Sequence, residues 1–272
     1  MKINKYPDGT SYVTLEKSAN FTFTFKLNSY EDLWHLNQFV EVYNHNYKGK
    51  PTIIIPNLID SQADRRFSDN QSSGLKLVCN FLNGMNANFK IFHPHNPEVV
   101  EAMMDNVEII DNEGFIRKVF EKLDRIKSID NTLILMSSDA GGFKPLMKLC
   151  DTIGWEGETF SASKARTKDG MRQLIDREDF KGKDILIIDD ISVFGGTFKG
   201  LSKMLKERNC GKLYLAVSHM TVKYLLNDPV TNYFDTVYTT NSKFDEYWFV
   251  PYPGTTKAGL LQPENLKIIK LF

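Results

Sequence analysis

Short apolar runs rich in β-branched residues alternate with longer segments of helical periodicity along most of the chain. The apolar runs predict strands at 52–55, 88–92, 132–136, 184–188, 212–218 and 236–238. The intervening segments predict helices at 31–44, 72–83, 113–126, 145–153, 201–207 and 221–226. Alternation of strand and helix favours an α/β fold with mostly parallel sheets, which bind ligands at the carboxyl ends of their strands.

Two segments near the amino terminus follow a different pattern. Residues 11–15 and 20–27 alternate between apolar and polar positions, which predicts an antiparallel hairpin or a sheet edge. Farther along, a charged helical segment gives way to the apolar run TLILMS near 126–131. A chain of 272 residues is long enough for two α/β domains, so we predict domains at 1–130 and 131–272.

Charge and composition narrow the classes of partner. Lysine plus arginine and aspartate plus glutamate both number 34, so the balanced charge gives no general attraction to nucleic acid or to an anionic membrane. The sequence MKINKYPDGT lacks an apolar signal core, and no stretch approaches the roughly 20 apolar residues of a membrane span. Three widely spaced cysteines, Cys79, Cys150 and Cys210, with no CxxC pair, predict buried thiols in a reducing cytoplasm rather than zinc ligands.

The strongest local signal is the segment KDILIIDDISVFGGTFKGL at 183–201. A predicted buried strand runs into Asp189 and Asp190, and a turn carrying Gly195–Gly196–Thr197 opens a helix. Glycines let backbone N–H groups face a phosphate, and a helix amino terminus adds partial positive charge. Carboxylates suit ribose hydroxyls or hydrated Mg²⁺. The spacing matches neither a Walker loop nor a dinucleotide-binding glycine motif.

A second cluster follows the predicted strand at 132–136. The sequence TLILMSSDAGGFKPLMKL places Asp139, Ala140, Gly141 and Gly142 between a strand and a helix, which predicts another anion-binding turn. Beyond it, FSASKARTKDG carries Lys164 and Arg166 in a polar stretch without periodicity, which predicts a loop.

The first half contains a third cluster. Gln62, Asp64 and Arg65 follow the predicted strand at 52–55, and His93–Pro94–His95 ends the strand at 88–92. An aromatic residue and an acidic turn, Tyr6–Pro7–Asp8–Gly9, stand near the amino terminus.

In this order, from Tyr6 to Ser242, the clusters resemble those of ribose-phosphate pyrophosphokinases, also called PRPP synthetases, and the compact length is similar to that of phage-encoded members. The resemblance implies two phosphoribosyltransferase-like domains related by a pseudo-dyad. It also implies transfer of diphosphate from Mg-ATP to a ribose 5-phosphoryl sugar, in a dimer or a hexamer.

The resemblance assigns a role to each cluster. Lys164 and Arg166 would be the catalytic residues on a mobile loop, and 139–142 would bind the diphosphate. His95 and Asp139 would hold Mg²⁺. The ribose 5-phosphoryl group would be bound by Asp189, Asp190, Val193, Phe194, Gly195, Gly196 and Thr197. ATP would be bound by Tyr6, Asp8, Gln62, Asp64, Arg65 and His95.

The sequence departs from the family pattern at several positions. Val193–Phe194 stands where the family has Asp-Thr before the glycines, and this loss of polar groups disfavours a doubly charged terminal phosphate. The departure favours ADP-ribose slightly over ribose 5-phosphate as the acceptor, with ADP-ribose 1-pyrophosphate as a product from which a partner transferase could rebuild NAD⁺. Gln62 also replaces an arginine, Thr10 a glutamate and His93 an aspartate.

Two other interpretations stay open. A type I phosphoribosyltransferase needs only the loop at 183–201 and one domain, and it leaves 139–142 and the first 130 residues unexplained. A non-catalytic regulatory relative of the synthetases is the alternative from another class, although such proteins usually lose residues that this chain keeps at Lys164, Arg166, Asp139 and His95.

Overall fold

The computed structural model describes residues 1–16, 20–123, 131–167, 170–221, 228–243 and 263–272, with backbone alone for 164–167 and 170–172. The chain forms two compact units, Met1–Asp111 with Phe272, and Asn112–Leu271. Each unit is built on a parallel sheet with crossover helices, which confirms the predicted α/β class. No described helix has the length and apolar character needed to cross a bilayer.

The first unit contains a four-stranded sheet in the order β3-β4-β5-β6, with every neighbouring pair parallel. Its strands are β3 (Thr22–Thr24), β4 (Thr52–Ile55), β5 (Asn88–Phe92) and β6 (Val107–Ile110). Its helices are α1 (Tyr30–Asn46), α2 (Gly74–Asn83) and α3 (Pro97–Met103). The helix α1 begins at a capping box, in which Ser29 and Asp32 satisfy each other's backbone N–H groups.

The two alternating segments near the amino terminus do not pair with each other. Instead, β2 (Ser11–Thr14) forms an antiparallel hairpin with β1 (Lys2–Lys5), and β3 is the parallel edge of the sheet. Gly9 permits the hairpin turn through its φ of 90°, and the Asp8 carboxylate accepts a hydrogen bond from Thr10 N at 2.9 Å. Alternation predicted strands correctly here but could not specify their partners.

The second unit contains a six-stranded parallel sheet in the order β14-β13-β12-β11-β7-β8. Its strands are β7 (Leu133–Ser137), β8 (Glu158–Ser161), β11 (Asp184–Ser192), β12 (Leu213–Met220), β13 (Thr236–Thr240) and β14 (Leu266–Ile269). Its helices are α4 (Glu113–Lys122), α5 (Phe143–Ile153) and α6 (Gly196–Lys206). All residues of β7 are buried, and those of β12 are as well, which explains their continuous apolar runs.

Residues 163–167 and 170–174 form a pair of antiparallel strands, called the β9–β10 hairpin below, rather than the predicted loop. The strand β9 (Ser163–Thr167) pairs antiparallel with β10 (Gly170–Leu174) in a sheet of their own. Backbone pairing satisfies the N–H and C=O groups of such a hairpin without any apolar periodicity, so the polar sequence gave no sign of it. The predicted helix at 221–226 lies, apart from Thr221, outside the described residues.

The helix α4 packs with the second unit, so the structural division at Asp111 precedes the boundary predicted at residue 130. The ring of Phe120 stacks on Trp155 with centroids 5.6 Å apart, and Arg117 donates a hydrogen bond to Thr152 O at 3.2 Å. The charged residues of α4 form its exposed face, while its apolar residues, Phe115, Ile116, Val119 and Phe120, are buried.

The three cysteines are free thiols. Burial raises the pKa of Cys79 and of Cys150 to about 11, which keeps both thiols protonated and unreactive at neutral pH. Cys210 is half-buried. The expectation of free thiols is therefore met, with Cys210 less deeply placed than the other two.

We predict that Phe120→Ala destabilises the protein by about 3 kcal/mol, because it removes a buried ring and leaves a cavity beside Trp155. Urea denaturation followed by circular dichroism measures the loss. Glu121→Ala, at an exposed position of the same helix, is the control and should stay within about 0.5 kcal/mol of the wild type. Equal stability of the two variants would show that α4 does not pack as described.

Candidate active site

Two of the predicted loops meet at one edge of the sheet of the second unit. The strands β7 and β11 are parallel neighbours, with Ser137 in register with Ile188. The strand β7 ends at Ser137, whereas β11 continues beside β12 to Ser192, so the turn after β7 leaves the sheet next to Asp189 and Asp190. The Ser138 hydroxyl donates a hydrogen bond to Asp189 Oδ2, which joins the loop at 138–142 to the acidic pair of β11.

The turn at 139–142 is held in place by hydrogen bonds at both ends. Asp139 Oδ1 accepts a hydrogen bond from Gly142 N at 3.1 Å. The Asp139 carbonyl oxygen lies 2.9 Å from Ser137 Oγ and 3.2 Å from Ser161 Oγ. The helix α5 begins immediately afterwards, and no side chain of its N-cap residue, Gly142, covers its first turn. The turn thus presents a helix amino terminus, which favours an anion.

The acidic pair lies half-buried within β11, near its carboxyl end. Asp190 N donates a hydrogen bond to Asp189 Oδ1 at 2.9 Å. Burial, and secondly the negative charge of Asp190, raise the pKa of Asp189 to about 7. Two carboxyl groups in this state can accept hydrogen bonds from vicinal hydroxyls or share a hydrated cation.

The glycine turn after β11 requires its glycine. Gly195 has a φ of 72°, and a Cβ there would lie 2.8 Å from the Cβ of Val230. The helix α6 starts at Gly196, five positions earlier than predicted, because the turn itself forms the first turn of the helix. Thr197 and Val193 are half-buried, whereas Phe194 is 65% exposed.

A salt bridge beside this turn was not anticipated from the sequence. Lys199 Nζ lies 2.9 Å from Asp228 Oδ2, and its hydrogen bond to that carboxylate lowers the pKa of Asp228. Because Lys199 follows the glycine turn within α6, the bridge ties the helix to the segment that precedes the short 3-10 turn Val230–Tyr233. The two partners are 29 positions apart along the chain, so the sequence gave no indication that they pair.

The strand that carries Lys164 and Arg166 begins next to the 139–142 turn. Ala162 is buried, and its N–H donates to Ser137 O at 3.2 Å. Two residues later, Lys164 lies in β9 in register with Gln173, and Arg166 lies in register with Met171. The structure thus brings the base of this hairpin, the 139–142 turn and the acidic pair to one region of the second unit.

In the first unit, the loops after β4 and β5 are joined in a similar way. His95 N donates to Ser61 Oγ at 2.7 Å, and Asn96 Nδ2 donates to Asp64 Oδ2 at 3.2 Å. The guanidinium of Arg65 lies 5.3 Å from the ring centroid of Phe67. The neighbouring Gln62 is exposed, so a polar patch with a cation forms at the carboxyl ends of these strands.

The residues predicted to clasp adenine lie in the β1–β2 hairpin. Tyr6 is exposed, with its ring centroid 4.6 Å from that of Tyr12. Asp8 accepts hydrogen bonds from both Thr10 N and Thr10 Oγ1, which lower its pKa. Thr10, which departs from the family pattern, therefore fixes the Asp8 side chain within the turn.

The two predicted metal ligands belong to different units, His95 to the first and Asp139 to the second. Among the described residues, no group of three potential ligand side chains could hold a metal ion on its own. Mg²⁺ usually keeps several waters and binds through one or two carboxylates plus substrate phosphates. A strand-end carboxylate beside an anion-binding turn fits that mode of binding.

Sequence reasoning missed the serines that organise the site. Ser138 bonds Asp189, while Ser137 and Ser161 lie 2.9 Å apart and fix the Asp139 carbonyl. The signal was the serine pair at the end of a fully buried strand, directly before DAGG. A buried histidine was also missed: His219 Nδ1 lies 2.8 Å from Ser242 Oγ, and His219 is in register with Ile191 of β11.

In sequence, the chain is similar to ribose-phosphate pyrophosphokinases. The chain is 24% identical over 222 residues to the ribose-phosphate pyrophosphokinase of Saccharolobus solfataricus, a match that covers 79% of this chain and 74% of that protein. It is 24% identical over 288 residues to the Chlorobaculum tepidum enzyme of the same name, covering 98% of this chain and 83% of that protein. No family model matches.

The fold is likewise shared over nearly the whole chain. The phosphoribosylpyrophosphate synthetase of Mycobacterium smegmatis superimposes with a TM-score of 0.72 at 17% identity, covering 99% of this chain and 85% of that one. Over most of its length the chain is therefore similar in sequence to ribose-phosphate pyrophosphokinases and shares the fold of a phosphoribosylpyrophosphate synthetase. The named relatives indicate an enzyme of the diphosphotransferase class. The phosphoribosyltransferase-like fold predicted from the sequence is confirmed.

We predict that Asp189→Asn stabilises the protein at pH 8 by about 1 kcal/mol, or roughly 2–4 °C in Tm. The folded protein binds a proton on Asp189 more tightly than the unfolded chain does, because its pKa is raised from 3.8 to about 7. Folding stability therefore falls as pH rises between these values, and the variant should relieve this penalty at pH 8 but not at pH 4.

Asp179→Asn provides a control of opposite sign. A hydrogen bond from Lys181 N, and secondly one from Asn209, lower the pKa of Asp179. Its substitution should destabilise the protein at neutral pH, and the difference should shrink only as the pH falls toward and below 3.8. Thermal unfolding of both variants from pH 4 to 8 tests the pair, and a pH-independent effect of Asp189→Asn would contradict the placement of that carboxyl group.

Proposed function

We propose that the chain transfers the β,γ-diphosphoryl group of ATP to the C1 hydroxyl of a ribose 5-phosphoryl sugar, with AMP as the leaving group. The C1 oxygen forms a bond to the β-phosphorus, the bond from that phosphorus to the α,β-bridging oxygen breaks, and the hydroxyl proton is lost. The observation that carries this proposal is the hydrogen bond from Ser138 to Asp189, which joins an anion-binding turn to a carboxyl pair suited to ribose.

Each group at the carboxyl ends of β7 and β11 has a function in such a transfer. The amides of the 139–142 turn and the start of α5 bind the diphosphoryl group, whose charge they complement. Asp189 and Asp190 orient the ribose by accepting hydrogen bonds from its hydroxyls. The backbone after β11 and Thr197, at the start of α6, bind the 5′-phosphoryl group.

Lys164 and Arg166 provide cationic charge from β9. The base of this strand is bonded to the end of β7 through Ala162 and to the 139–142 turn through Ser161. Positive charge placed near the transferring group stabilises the transition state more than the bound substrates. The first unit contributes Arg65, Asp64 and His95 to the nucleotide, with Gln62 beside them and Tyr6 and Asp8 at the adenine. Asp139 and His95 are the residues that would hold Mg²⁺, which would supply charge neutralisation for the phosphates.

We propose ADP-ribose as the acceptor in preference to ribose 5-phosphate. The 5′-phosphoryl group of ADP-ribose carries one negative charge, whereas a terminal monophosphate approaches two near neutral pH. At the glycine turn, the side chains preceding Gly195 are an aliphatic one and an aromatic one, and Phe194 is 65% exposed. An exposed ring beside the phosphate position can contact a longer 5′ substituent, and the missing polar groups weaken the grip on a dianion.

Incubation of the protein with Mg-ATP and either acceptor tests the activity directly. We expect AMP to form only when an acceptor is present, and mass spectrometry to detect the 1-diphosphorylated sugar, with a higher kcat/KM for ADP-ribose. If AMP forms with ribose 5-phosphate but not with ADP-ribose, the proposed diphosphoryl transfer stands and the proposed preference for ADP-ribose is wrong. Consumption of PRPP with a nucleobase, without any use of ATP, would identify a phosphoribosyltransferase instead.

In the same assay, Lys164→Ala and Arg166→Ala should each lower kcat by on the order of 10³ with the fold intact, because each removes charge near the transferring group. The matched control is Lys118→Ala, a change at an exposed lysine of α4. Circular dichroism verifies folding. Wild-type turnover in both hairpin variants would remove this mechanism.

A double variant tests the acceptor preference. Val193→Asp with Phe194→Thr restores the polar pair of the family pattern, so the ratio of kcat/KM for ribose 5-phosphate over ADP-ribose should rise by roughly tenfold or more. Phe194→Leu, which keeps an apolar side chain, should change this ratio far less. An unchanged ratio in the double variant would show that residues 193 and 194 do not select the acceptor.

A further inference from the structure

A close contact links the β9–β10 hairpin to helix α6. Gly200 lies within α6, and a Cβ at this position would lie 2.5 Å from Gln173 Oε1 in β10. Only glycine leaves room for the Gln173 amide in this arrangement. The amide nitrogen Nε2 of Gln173 is also buried and makes no hydrogen bond to the part of the chain that the structure describes.

The contact is unusual for a helix. Glycine in a helix interior is unfavourable relative to alanine, and a buried amide donor without a partner is unfavourable as well. The helical glycine and the buried amide donor meet at one contact between α6 and the β9–β10 hairpin, whose sheet has only two strands. Locally unfavourable features of this kind concentrate at functional positions.

The hairpin is anchored in the core at its base, and beyond the base it contacts α6 through Gln173. Ala162 precedes β9 and Ile175 follows β10, and both are buried in the core of the second unit. From this base, Ser163 pairs with Leu174, and the next pair is Lys164 with Gln173. Gln173 is therefore placed directly across from Lys164 at the level where the hairpin leaves the core.

The helix face that receives Gln173 also belongs to the glycine turn. Gly200 is four residues after Gly196 and three after Thr197, so these positions share one face of α6. One helical turn, a rise of about 6 Å, separates Gly200 from Gly196. The Gln173–Gly200 contact thus sets the position of the Lys164 backbone relative to the helix that opens at the 5′-phosphoryl group.

We infer that Gly200 and Gln173 are positioning residues for diphosphoryl transfer. Their contact, called the seat below, holds the β9–β10 hairpin against α6. The inference rests on the proposed function, since the hairpin carries Lys164 and Arg166. Removal of the seat leaves both cationic residues in the chain but releases the strand that bears them. Displacement of such groups by about 1 Å can lower a rate by on the order of 10².

Gly200→Ala separates this role from a merely structural one. The new methyl group displaces the flexible end of Gln173, and alanine strengthens the helix, so we expect a Tm equal to or above that of the wild type. The kcat for AMP release should nevertheless fall by roughly tenfold or more, with KM for ATP nearly unchanged. Gln173→Ala should give a similar loss, and the double variant should lose no more than either single one.

The matched control is Gly114→Ala. Gly114 also lies in a helix of the second unit, α4, but an added Cβ there meets no atom within 4 Å. This variant should keep both the kcat and the resistance to protease. Limited trypsin digestion supplies a readout that does not depend on activity, because cleavage after Lys164, Arg166 or Arg172 should accelerate in the Gly200 and Gln173 variants only.

The outcomes separate the two proposals. If the wild type forms no diphosphorylated sugar from either acceptor, the proposed function fails, and the rate of tryptic cleavage alone decides whether the seat exists. If the wild type is active while Gly200→Ala keeps its kcat and its resistance to trypsin, the seat is overturned. Additive losses in the double variant would likewise contradict it, since two residues of one contact cannot act independently.

Discussion

The parallel pairing of β7 with β11 is the constraint on which the candidate active site depends. Ser137, the last residue of β7, lies in register with Ile188, so the 139–142 turn leaves the sheet beside the acidic pair of β11. The Ser138–Asp189 hydrogen bond then fixes one loop against the other. A slip of the register by one residue would turn Ser138 or Asp189 toward the opposite face, and the diphosphoryl and ribose positions would no longer adjoin. The apolar core of β7 and β11 therefore determines the geometry of a polar site.

This arrangement carries an electrostatic cost. Burial and the charge of Asp190 raise the pKa of Asp189 to about 7, so the pair is poorly solvated as two carboxylates. Hydrogen bonds from Ser138 Oγ and Asp190 N offset part of the cost. Hydroxyl donors of a sugar would offset more, since a carboxylate gains most from donors that reach it in a buried position. Poor solvation of the Asp189–Asp190 pair thus destabilises the protein without a ligand, and it also favours binding of a ligand that carries several hydroxyl groups.

The sequence predicted the sheet strands of both units well where apolar runs were long, as in β7 and β12, because burial on both faces requires such runs. It failed where backbone pairing decides the structure without apolar residues, as in the β9–β10 hairpin and the partner of β2. The motif residues were found through their order along the chain, whereas Ser138 and Lys199 act through contacts 51 and 29 residues away. Such contacts depend on which strands are neighbours, and periodicity contains no information on that.

In each unit, polar groups at the carboxyl ends of two adjacent parallel strands are joined by a hydrogen bond, but the charged groups differ between the units. In the first unit, loops from the adjacent strands β4 and β5 are joined by His95 N to Ser61 Oγ, with the cationic Arg65 nearby. In the second, β7 and β11 bring together a helix amino terminus and two carboxyl groups. Cationic groups suit the phosphates of a nucleotide, while carboxyl groups suit sugar hydroxyls and repel free phosphate unless a cation intervenes. The proposed reaction involves a polyanionic nucleotide and a hydroxylated sugar, and the strand-end groups of the two units differ in charge in the way that these two substrates do.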